Sequence, residues 1–232
     1  MLLTGQAALV TGASRGIGRA CALRLAAEGA GVALVARGEA ELEAVARQIR
    51  AGGGRAIALA GDVAEETMAA RAFEAAEREL GVVSVLVNDA ATLELGSVGE
   101  LSTASFDRTL AVNLRGSFLF ASEAVRRMVP RRQGRIVFVS SISSTLGTPR
   151  ASAYNASKWA LNGLVKSLAE ELKRTGVLAL GVSPGSVDTA MLAQSGFPAA
   201  MQPEDVATVV RFLATEAPAA MQGSIVEMFG DQ

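Results

Sequence analysis

The amino-acid sequence predicts an α/β fold, a doubly wound parallel sheet of about seven strands with helices on both faces. Short runs rich in Val, Ile, Leu and Ala alternate with longer amphipathic stretches along the chain. The short runs are continuously apolar, as is typical of strands that are covered on both faces. The chain has 232 residues, enough to bury a sizeable core, and no linker or repeat interrupts it. We therefore expect one domain over residues 1–232.

The predicted strands and helices alternate strictly, beginning and ending with a strand. Strands are expected at residues 7–11, 32–36, 56–60, 85–88, 136–140, 178–182 and 224–228. Helices are expected at residues 16–28, 39–51, 65–80, 105–129, 152–175 and 203–214. Right-handed crossovers between parallel strands would place these helices on the two faces of one sheet.

The composition excludes several kinds of chemistry. The chain has no histidine and a single cysteine, Cys21, so Ser-His-Asp triads, Cys-His pairs and histidine metal sites are excluded, and we expect no metal. A net charge of −1 gives no reason to expect nucleic acid or an anionic membrane. No uncharged apolar run approaches the roughly 18 residues that a membrane helix needs. The first residues also lead straight into a strand without a charged leader, so we expect a cytoplasmic protein.

A glycine-rich turn, VTGASRGIG, follows the first predicted strand and opens the first helix. Gly12, Gly16 and Gly18 would allow positive φ and a close approach of the backbone to a ligand. The free N–H groups of a helix N-terminus can bind a phosphate. Such a turn on its own is equally compatible with a purely structural role. At the first strand-to-helix connection of a Rossmann-type sheet, however, it indicates a dinucleotide.

The end of the second strand favours NADP over NAD. NAD-binding versions of this fold carry an acid here that binds the ribose 2′-hydroxyl, whereas this chain has Ala36 and Arg37. An arginine would pair with a 2′-phosphate through charge-assisted hydrogen bonds, and Arg15 in the glycine-rich turn could reach the same group. The alternative is that both arginines are simply solvated.

Tyr154 and Lys158 are four residues apart on a predicted helix and therefore share one face. They could be a partly buried tyrosine beside a surface lysine. They could also be an acid and the cation that tunes it, because a nearby ammonium stabilises a phenolate and lowers the phenol pKa from about 10. Reduction of a ketone by a nicotinamide needs such a proton donor.

Taken together, these motifs resemble the single-domain short-chain dehydrogenase/reductase family, in the branch of the 3-ketoacyl carrier-protein reductases. The resemblance covers nearly the whole chain and rests on motifs in the family's order. They are TGASRGIG, GDV at 61–63, LVNDAA at 86–91, VNLRG at 112–116, GRIVFVSS at 134–141, the Tyr-x-x-x-Lys pair and SPGSVDT at 183–189.

The resemblance implies a role for each matching residue. The catalytic residues would be Asn113, Ser141, Tyr154 and Lys158, where Ser141 binds the substrate oxygen and Asn113 holds a water that links Lys158 to solvent. The alternatives to Ser141 are Ser140, Ser143 and Ser144. Ser141 is preferred only because it lies thirteen residues before Tyr154. The cofactor would contact Gly12, Ser14, Arg15, Gly16, Ile17, Gly18, Arg37, Asp62, Val63, Asn88, Ala90, Tyr154, Lys158, Pro184, Gly185, Val187 and Thr189.

Two departures from the family pattern stand close to the expected cofactor. Asp89 and Ala91 replace the usual Asn and Gly after Asn88, which adds a possible negative charge and a methyl group. The substrate lid near 190–202 is also short. Met191, Leu192, Phe197 and Met201 are its apolar residues, and its length favours an open pocket and a broad or large substrate.

Three functions follow as hypotheses. The first is an NADPH-dependent carbonyl reductase, with 3-ketoacyl thioesters as one plausible substrate. The second is an alcohol dehydrogenase that oxidises a sterol, sugar or polyol. The third is a non-catalytic NADP-binding sensor, which the complete Asn-Ser-Tyr-Lys set argues against. The resemblance also implies self-association into a dimer or a homotetramer through the long helices at 105–129 and 152–175.

Overall fold

The computed structural model describes residues 1–230; residues 231 and 232, the last two of the predicted domain, lie outside this range. Seven parallel strands form one sheet in the order β3-β2-β1-β4-β5-β6-β7. The strands are β1 Ala7–Thr11, β2 Gly31–Ala36, β3 Arg55–Ala60, β4 Val83–Asn88, β5 Gly134–Val139, β6 Val177–Pro184 and β7 Ile225–Met228. The fold class and all seven strands predicted from the sequence are confirmed.

Seven α-helices connect the strands. They are α1 Gly16–Ala27, α2 Glu39–Ala51, α3 Met68–Leu80, α4 Thr103–Leu110, α5 Ser117–Arg131, α6 Ser152–Glu171 and α7 Pro203–Thr215. The single helix predicted at 105–129 is wrong in one respect. A π-helical turn, Ala111–Gly116, separates α4 from α5. Such turns occur frequently at functional sites.

The core consists of two layers, one on each face of the sheet. Neighbouring residues of β1 belong to different layers: Ala8 and Val10 pack with α1, α2 and α7, whereas Leu9 packs with α3, α5 and α6. The alternation follows from the two-residue period of a strand. Because both faces are covered by apolar side chains, the strands read as continuous apolar runs in the sequence.

The strand order places a crevice where the direction of winding changes. β1 pairs with β2 on one side and with β4 on the other, so the connections leaving β1 and β4 diverge. In open α/β sheets, ligands bind outside the carboxyl ends of the strands at this switch point. The motifs TGASRGIG, GDV, LVNDAA, GRIVFVSS and SPGSVDT end or follow strands at this edge, whereas VNLRG lies in the π-helical turn.

Candidate active site

The carboxyl end of β5 and the first turns of α6 bring Ser141, Tyr154 and Lys158 together. Lys158 is buried, and its Nζ donates a hydrogen bond to the carbonyl oxygen of Val139 at 2.8 Å. The same nitrogen lies 5.6 Å from the centre of the Tyr154 ring. Ser141 Oγ accepts from the backbone N–H of Ser143 at 3.1 Å. The predicted shared face of Tyr154 and Lys158 is therefore present.

The prediction that the pKa of Tyr154 is lowered is wrong. Burial raises the pKa of the Tyr154 phenol to about 12; a hydrogen bond with the Ser141 hydroxyl lowers it, and the charge of Asp89 raises it further. Burial also lowers the pKa of the Lys158 ammonium to about 8, against the attraction of Asp89. Loss of hydration is the largest cause of the Tyr154 shift, and the charge of Lys158, on which the prediction relied, is not among its causes. The phenol stays protonated at neutral pH.

Ser141 is supported by a polar network that the sequence argument missed. Asn162 stands one helical turn beyond Lys158; its amide donates to Ser144 Oγ at 2.8 Å, and its side-chain oxygen accepts from Ser140 Oγ at 2.7 Å. Ser144 in turn donates to the carbonyl oxygen of Ser141. Ser140 and Ser144, two of the alternatives to Ser141, therefore have hydrogen-bond partners of their own. The feature of the sequence that could have predicted Asn162 is its i, i+4 spacing from Lys158, which places both residues on one face of α6.

Asn113 lies in the π-helical turn and connects it to α6. Its side-chain oxygen accepts from the N–H of Thr92 at 2.8 Å, and its amide donates to Thr92 O and to Ser157 Oγ, both at 3.0 Å. Ser157 donates to the carbonyl oxygen of Tyr154 at 2.6 Å. Asn113 is buried away from the main cavity, so the structure supports a positioning contact with α6, while the water-holding role stays a prediction.

The glycine-rich turn leaves little or no room for a side chain at its three glycine positions. Gly12 and Gly16 have φ of 69° and 54°, in the region that favours glycine. A methyl group on Gly18 would lie 2.4 Å from the carbonyl oxygen of Gly12, and one on Gly16 would lie 3.2 Å from the Thr189 methyl. The free N-terminus of α1 and the 184–189 loop therefore face each other across a narrow gap. This is a cradle that suits a phosphate group.

Asp89 occupies the floor of this cradle. Thr11 Oγ1 accepts from the backbone N–H groups of Asp89 and Ala90, each at 3.1 Å, and so joins the ends of β1 and β4. Burial raises the pKa of the Asp89 carboxyl to about 7, although the Lys158 charge and the Gly18 N–H oppose the rise. The sequence identifies Asp89 as a departure from the family pattern but does not predict which residues surround it.

The first turn of α2, just after β2, places on the cavity wall one acid that was not predicted from the sequence. Arg15 and Arg37 are exposed side chains on the cavity wall, as expected for a 2′-phosphate site. Glu41 lines the same wall, with its carboxylate packed against Gly38. Asp62 also lines the cavity. One of its oxygens accepts from the Ala64 N–H at 3.0 Å and the other accepts from Arg108 Nη2 at 3.0 Å.

A single cavity of about 940 Å³ joins these parts. It collects most of the predicted site residues: Gly12, Ser14, Arg15, Gly16, Ile17, Arg37, Asp62, Val63, Ala90, Ser141, Tyr154, Lys158, Pro184, Gly185, Val187 and Thr189. Gly18, Asn88 and Asn113 are not on its wall. The Asn88 amide points instead to the carbonyl oxygen of Ser117, at 3.5 Å. Its predicted cofactor contact stays a prediction.

The segment predicted to be a short substrate lid, near 190–202, has its two ends joined by backbone hydrogen bonds. The Asp188 N–H donates to Met201 O at 2.9 Å, and the Ala200 N–H donates to Ser186 O at 2.9 Å. Met191, Leu192 and Phe197 line the cavity, as predicted for lid residues. Met201 does not: it is buried in the core with α7, because the paired lid ends carry it below the opening.

The comparisons agree with this geometry. The sequence model of the family described as short chain dehydrogenase matches residues 6–197. A short chain dehydrogenase of Pseudocercospora fijiensis is 39% identical over 190 residues, which are 81% of this chain and 61% of that protein. An Arabidopsis thaliana protein named NADPH-dependent aldehyde reductase-like protein, chloroplastic, is 35% identical, covering 98% of this chain and 94% of its own.

A solved structure shares the fold across its whole length. The 3-oxoacyl (acyl-carrier-protein) reductase of Agrobacterium tumefaciens C58, with NADP bound, has a TM-score of 0.91 and 33% identity, covering 99% of this chain and 95% of that one. The chain therefore belongs to the short-chain dehydrogenase/reductase family, a family of oxidoreductases. Within residues 1–230, no helix is both long and apolar enough to cross a membrane.

Proposed function

We propose that this protein is an NADP(H)-dependent carbonyl reductase that uses Tyr154 as its proton donor. The observation that carries the proposal is the cavity itself. It joins Ser141, Tyr154 and Lys158 at one end to the glycine-rich turn at the other. Arg15 and Arg37 on the same wall favour NADP over NAD. The NADPH named for the Arabidopsis relative and the NADP bound to the Agrobacterium structure support the same choice.

The residues divide the reaction between them. The nicotinamide, when bound, supplies a hydride to the carbonyl carbon of the substrate. The Ser141 hydroxyl hydrogen-bonds the carbonyl oxygen, and the Tyr154 O–H gives that oxygen its proton, so that an alcohol forms. Lys158, fixed by its bond to the Val139 carbonyl, adds positive charge beside the phenolate that remains. Asn113 fixes the backbone of Tyr154 through Ser157.

The protonation state of Tyr154 favours reduction over oxidation. With a pKa of about 12, the phenol carries its proton at neutral pH and is ready to donate it. Oxidation of an alcohol would need the phenolate form instead. An alcohol dehydrogenase activity is thus the second candidate function. A cofactor sensor without turnover is the third, and the assembled Ser141, Tyr154 and Lys158 count against it.

The substrate is proposed to be uncharged and largely apolar near its carbonyl group. Apart from Arg15, Arg37, Glu41, Asp62, Asp89 and Lys158, which the proposal assigns to the cofactor end and the catalytic centre, the described cavity wall carries only apolar or neutral polar side chains. The large apolar ones at the proposed substrate end are Leu93, Leu95, Ile142, Leu146, Met191, Leu192 and Phe197. A carboxylate or phosphate on the substrate would lose its hydration there without finding a partner. Self-association into a dimer or tetramer and a cytoplasmic location stay predictions from the sequence.

The test is NADPH oxidation across matched carbonyl compounds. The panel contains neutral alkyl and aryl ketones, aldehydes, 3-ketoacyl thioesters and keto sugar acids. We expect turnover with neutral apolar carbonyls and little with the keto acids. A marked preference for the anionic substrates would contradict the substrate assignment. Turnover with alcohols and NADP⁺ but with no carbonyl compound would favour the second candidate.

A further inference from the structure

The carboxyl group of Asp89 lies against Gly12 and Gly18 of the glycine-rich turn, and the residue lines the cavity. Its Oδ2 lies 3.1 Å from the position that a Cβ atom on Gly12 would occupy. It lies 2.7 Å from the position that a Cβ atom on Gly18 would occupy. The backbone of Asp89 is held in place by Thr11. The carboxyl group is thus fixed in the cradle that the glycine-rich turn builds for an anion.

The groups facing Asp89 leave it without a close counter-ion. On α6 these are Lys158, whose charge reaches Asp89 without forming an ion pair, and Tyr154. On α1 there is the buried thiol of Cys21, whose pKa is raised by burial first and by Asp89 second. Arg15 lines the same cavity as an exposed side chain. Asp89 takes part in none of the ion pairs found within residues 1–230.

We propose that Asp89 couples cofactor binding to the uptake of one proton: its carboxyl group must be protonated before a dinucleotide diphosphate can occupy the glycine-rich turn. This inference rests on the function proposed above. An ionised carboxylate at the base of the cradle would repel the diphosphate, and the N-terminus of α1 would then serve two anions at once. A neutral carboxyl group removes that repulsion and leaves the backbone N–H groups to the ligand.

The direction of the effect follows from linkage. Because the bound state favours the protonated carboxyl, the complex takes up a proton wherever free Asp89 is ionised. The pKa of Asp89 lies near 7 in the free chain, so uptake is expected to approach one proton by pH 8 and to vanish below pH 6. The affinity for NADPH should fall with rising pH above pH 7, by at most about tenfold per pH unit, the limit for a single proton.

The experiment is isothermal titration of the full chain with NADPH at pH 6, 7 and 8, in buffers of different ionisation enthalpy. The number of protons taken up is read from the dependence of the heat on the buffer. Wild type should take up close to one proton at pH 8. Asp89→Asn, which keeps the side-chain shape without the charge, should take up none and should bind NADPH with little pH dependence.

Two control variants separate Asp89 from its neighbours. Lys158→Arg keeps a cation that stays charged across this pH range, so proton uptake should persist in it. Glu41→Gln removes an exposed carboxylate of the same cavity and should also retain the uptake. Uptake that is lost in Lys158→Arg and retained in Asp89→Asn would overturn the proposal.

The wild-type data decide the matter even if Asp89→Asn does not fold. The absence of proton uptake at pH 8 in wild type would overturn the inference while leaving NADPH binding, and hence the proposed function, intact. Failure of wild type to bind NADPH at any pH would instead overturn the proposed function and this inference with it.

Discussion

Tyr154 shows how burial can set the pKa of a side chain even when a cation lies close by. Its ring lies 5.6 Å from Lys158 Nζ, yet burial dominates and raises the phenol pKa to about 12. Spacing in the sequence predicts which side chains share a helix face, but it carries no information on hydration. For this reason the partners of Tyr154 could be predicted, whereas the direction of its pKa shift could not.

Arg37 is predicted to set the preference for NADPH over NADH. Arg37→Asp replaces a cation on the cavity wall with an anion, which would repel a 2′-phosphate and could bind a ribose hydroxyl. The ratio of Kd values for NADH and NADPH should fall by at least about tenfold, as expected for the loss of one charged hydrogen bond. Fluorescence titration with the two cofactors measures it.

The matched control is Arg47→Asp, an equal charge change at an exposed position of α2 that is not on the cavity wall. It should leave the ratio of Kd values unchanged. Equal effects of the two variants would mean that long-range charge, and not a contact with the 2′-phosphate, sets the preference.

At the scale of elements, the strands could be predicted from the sequence, whereas the break between α4 and α5 could not. Continuous apolar runs mark the strands because both faces of the sheet are covered. The π-helical turn at Ala111–Gly116 has no comparable periodic signal, since its sequence, AVNLRG, continues the helical pattern on either side. The turn depends on tertiary contacts of Asn113 with Thr92 and Ser157, which only the fold brings together.

The connection between α6 and β6 is predicted to need glycine at position 176. Gly176 has φ of 85°, and a methyl group there would lie 2.1 Å from the carbonyl oxygen of Arg132. Gly176→Ala should lower the free energy of unfolding by about 1–3 kcal/mol, the range for one strained backbone position. Urea denaturation followed by circular dichroism measures the change.

Gly163→Ala in the middle of α6 is the control with the opposite sign. Apart from its chain neighbours and the backbone of its own helix, no atom lies within 4 Å of an added methyl group there, and the residue is helical and exposed. It should therefore raise the free energy of unfolding by about 0.5–1 kcal/mol. A destabilisation of the same size in both variants would contradict the argument from φ and close contact.

At the scale of the whole molecule, an exposed apolar surface lies on α4, α5 and α6. The π-helical turn and helices α4, α5 and α6 border a groove of about 550 Å³. Its large apolar residues are Leu110, Leu114, Phe118 and Leu164, and Asp107 and Arg115 also line it. Phe118 is 52% exposed, and Trp159 on α6 is 56% exposed. Exposed apolar patches of this kind mark interaction sites. The patch lies on the helices that the sequence predicts to pair between subunits.

Phe118→Glu is predicted to weaken self-association. A charge in the centre of an apolar contact would lose its hydration without gaining a partner. The mass in solution, measured by light scattering, should fall from that of an oligomer towards that of one chain of 23.8 kDa. Val98→Glu, at an 80% exposed apolar residue outside the groove, should leave the mass unchanged. A wild-type protein that is already monomeric would contradict the prediction.

The central claim is that Tyr154 donates the proton during carbonyl reduction, and one paired measurement tests it most directly. NADPH binding and single-turnover oxidation of bound NADPH by a neutral ketone are measured for wild type and for Tyr154→Phe. We predict that the variant binds NADPH within about twofold of wild type, because it loses only a hydroxyl group, and that its turnover falls by about 10²–10⁴-fold, the contribution of a positioned general acid. Turnover at nearly the wild-type rate in Tyr154→Phe would contradict the account.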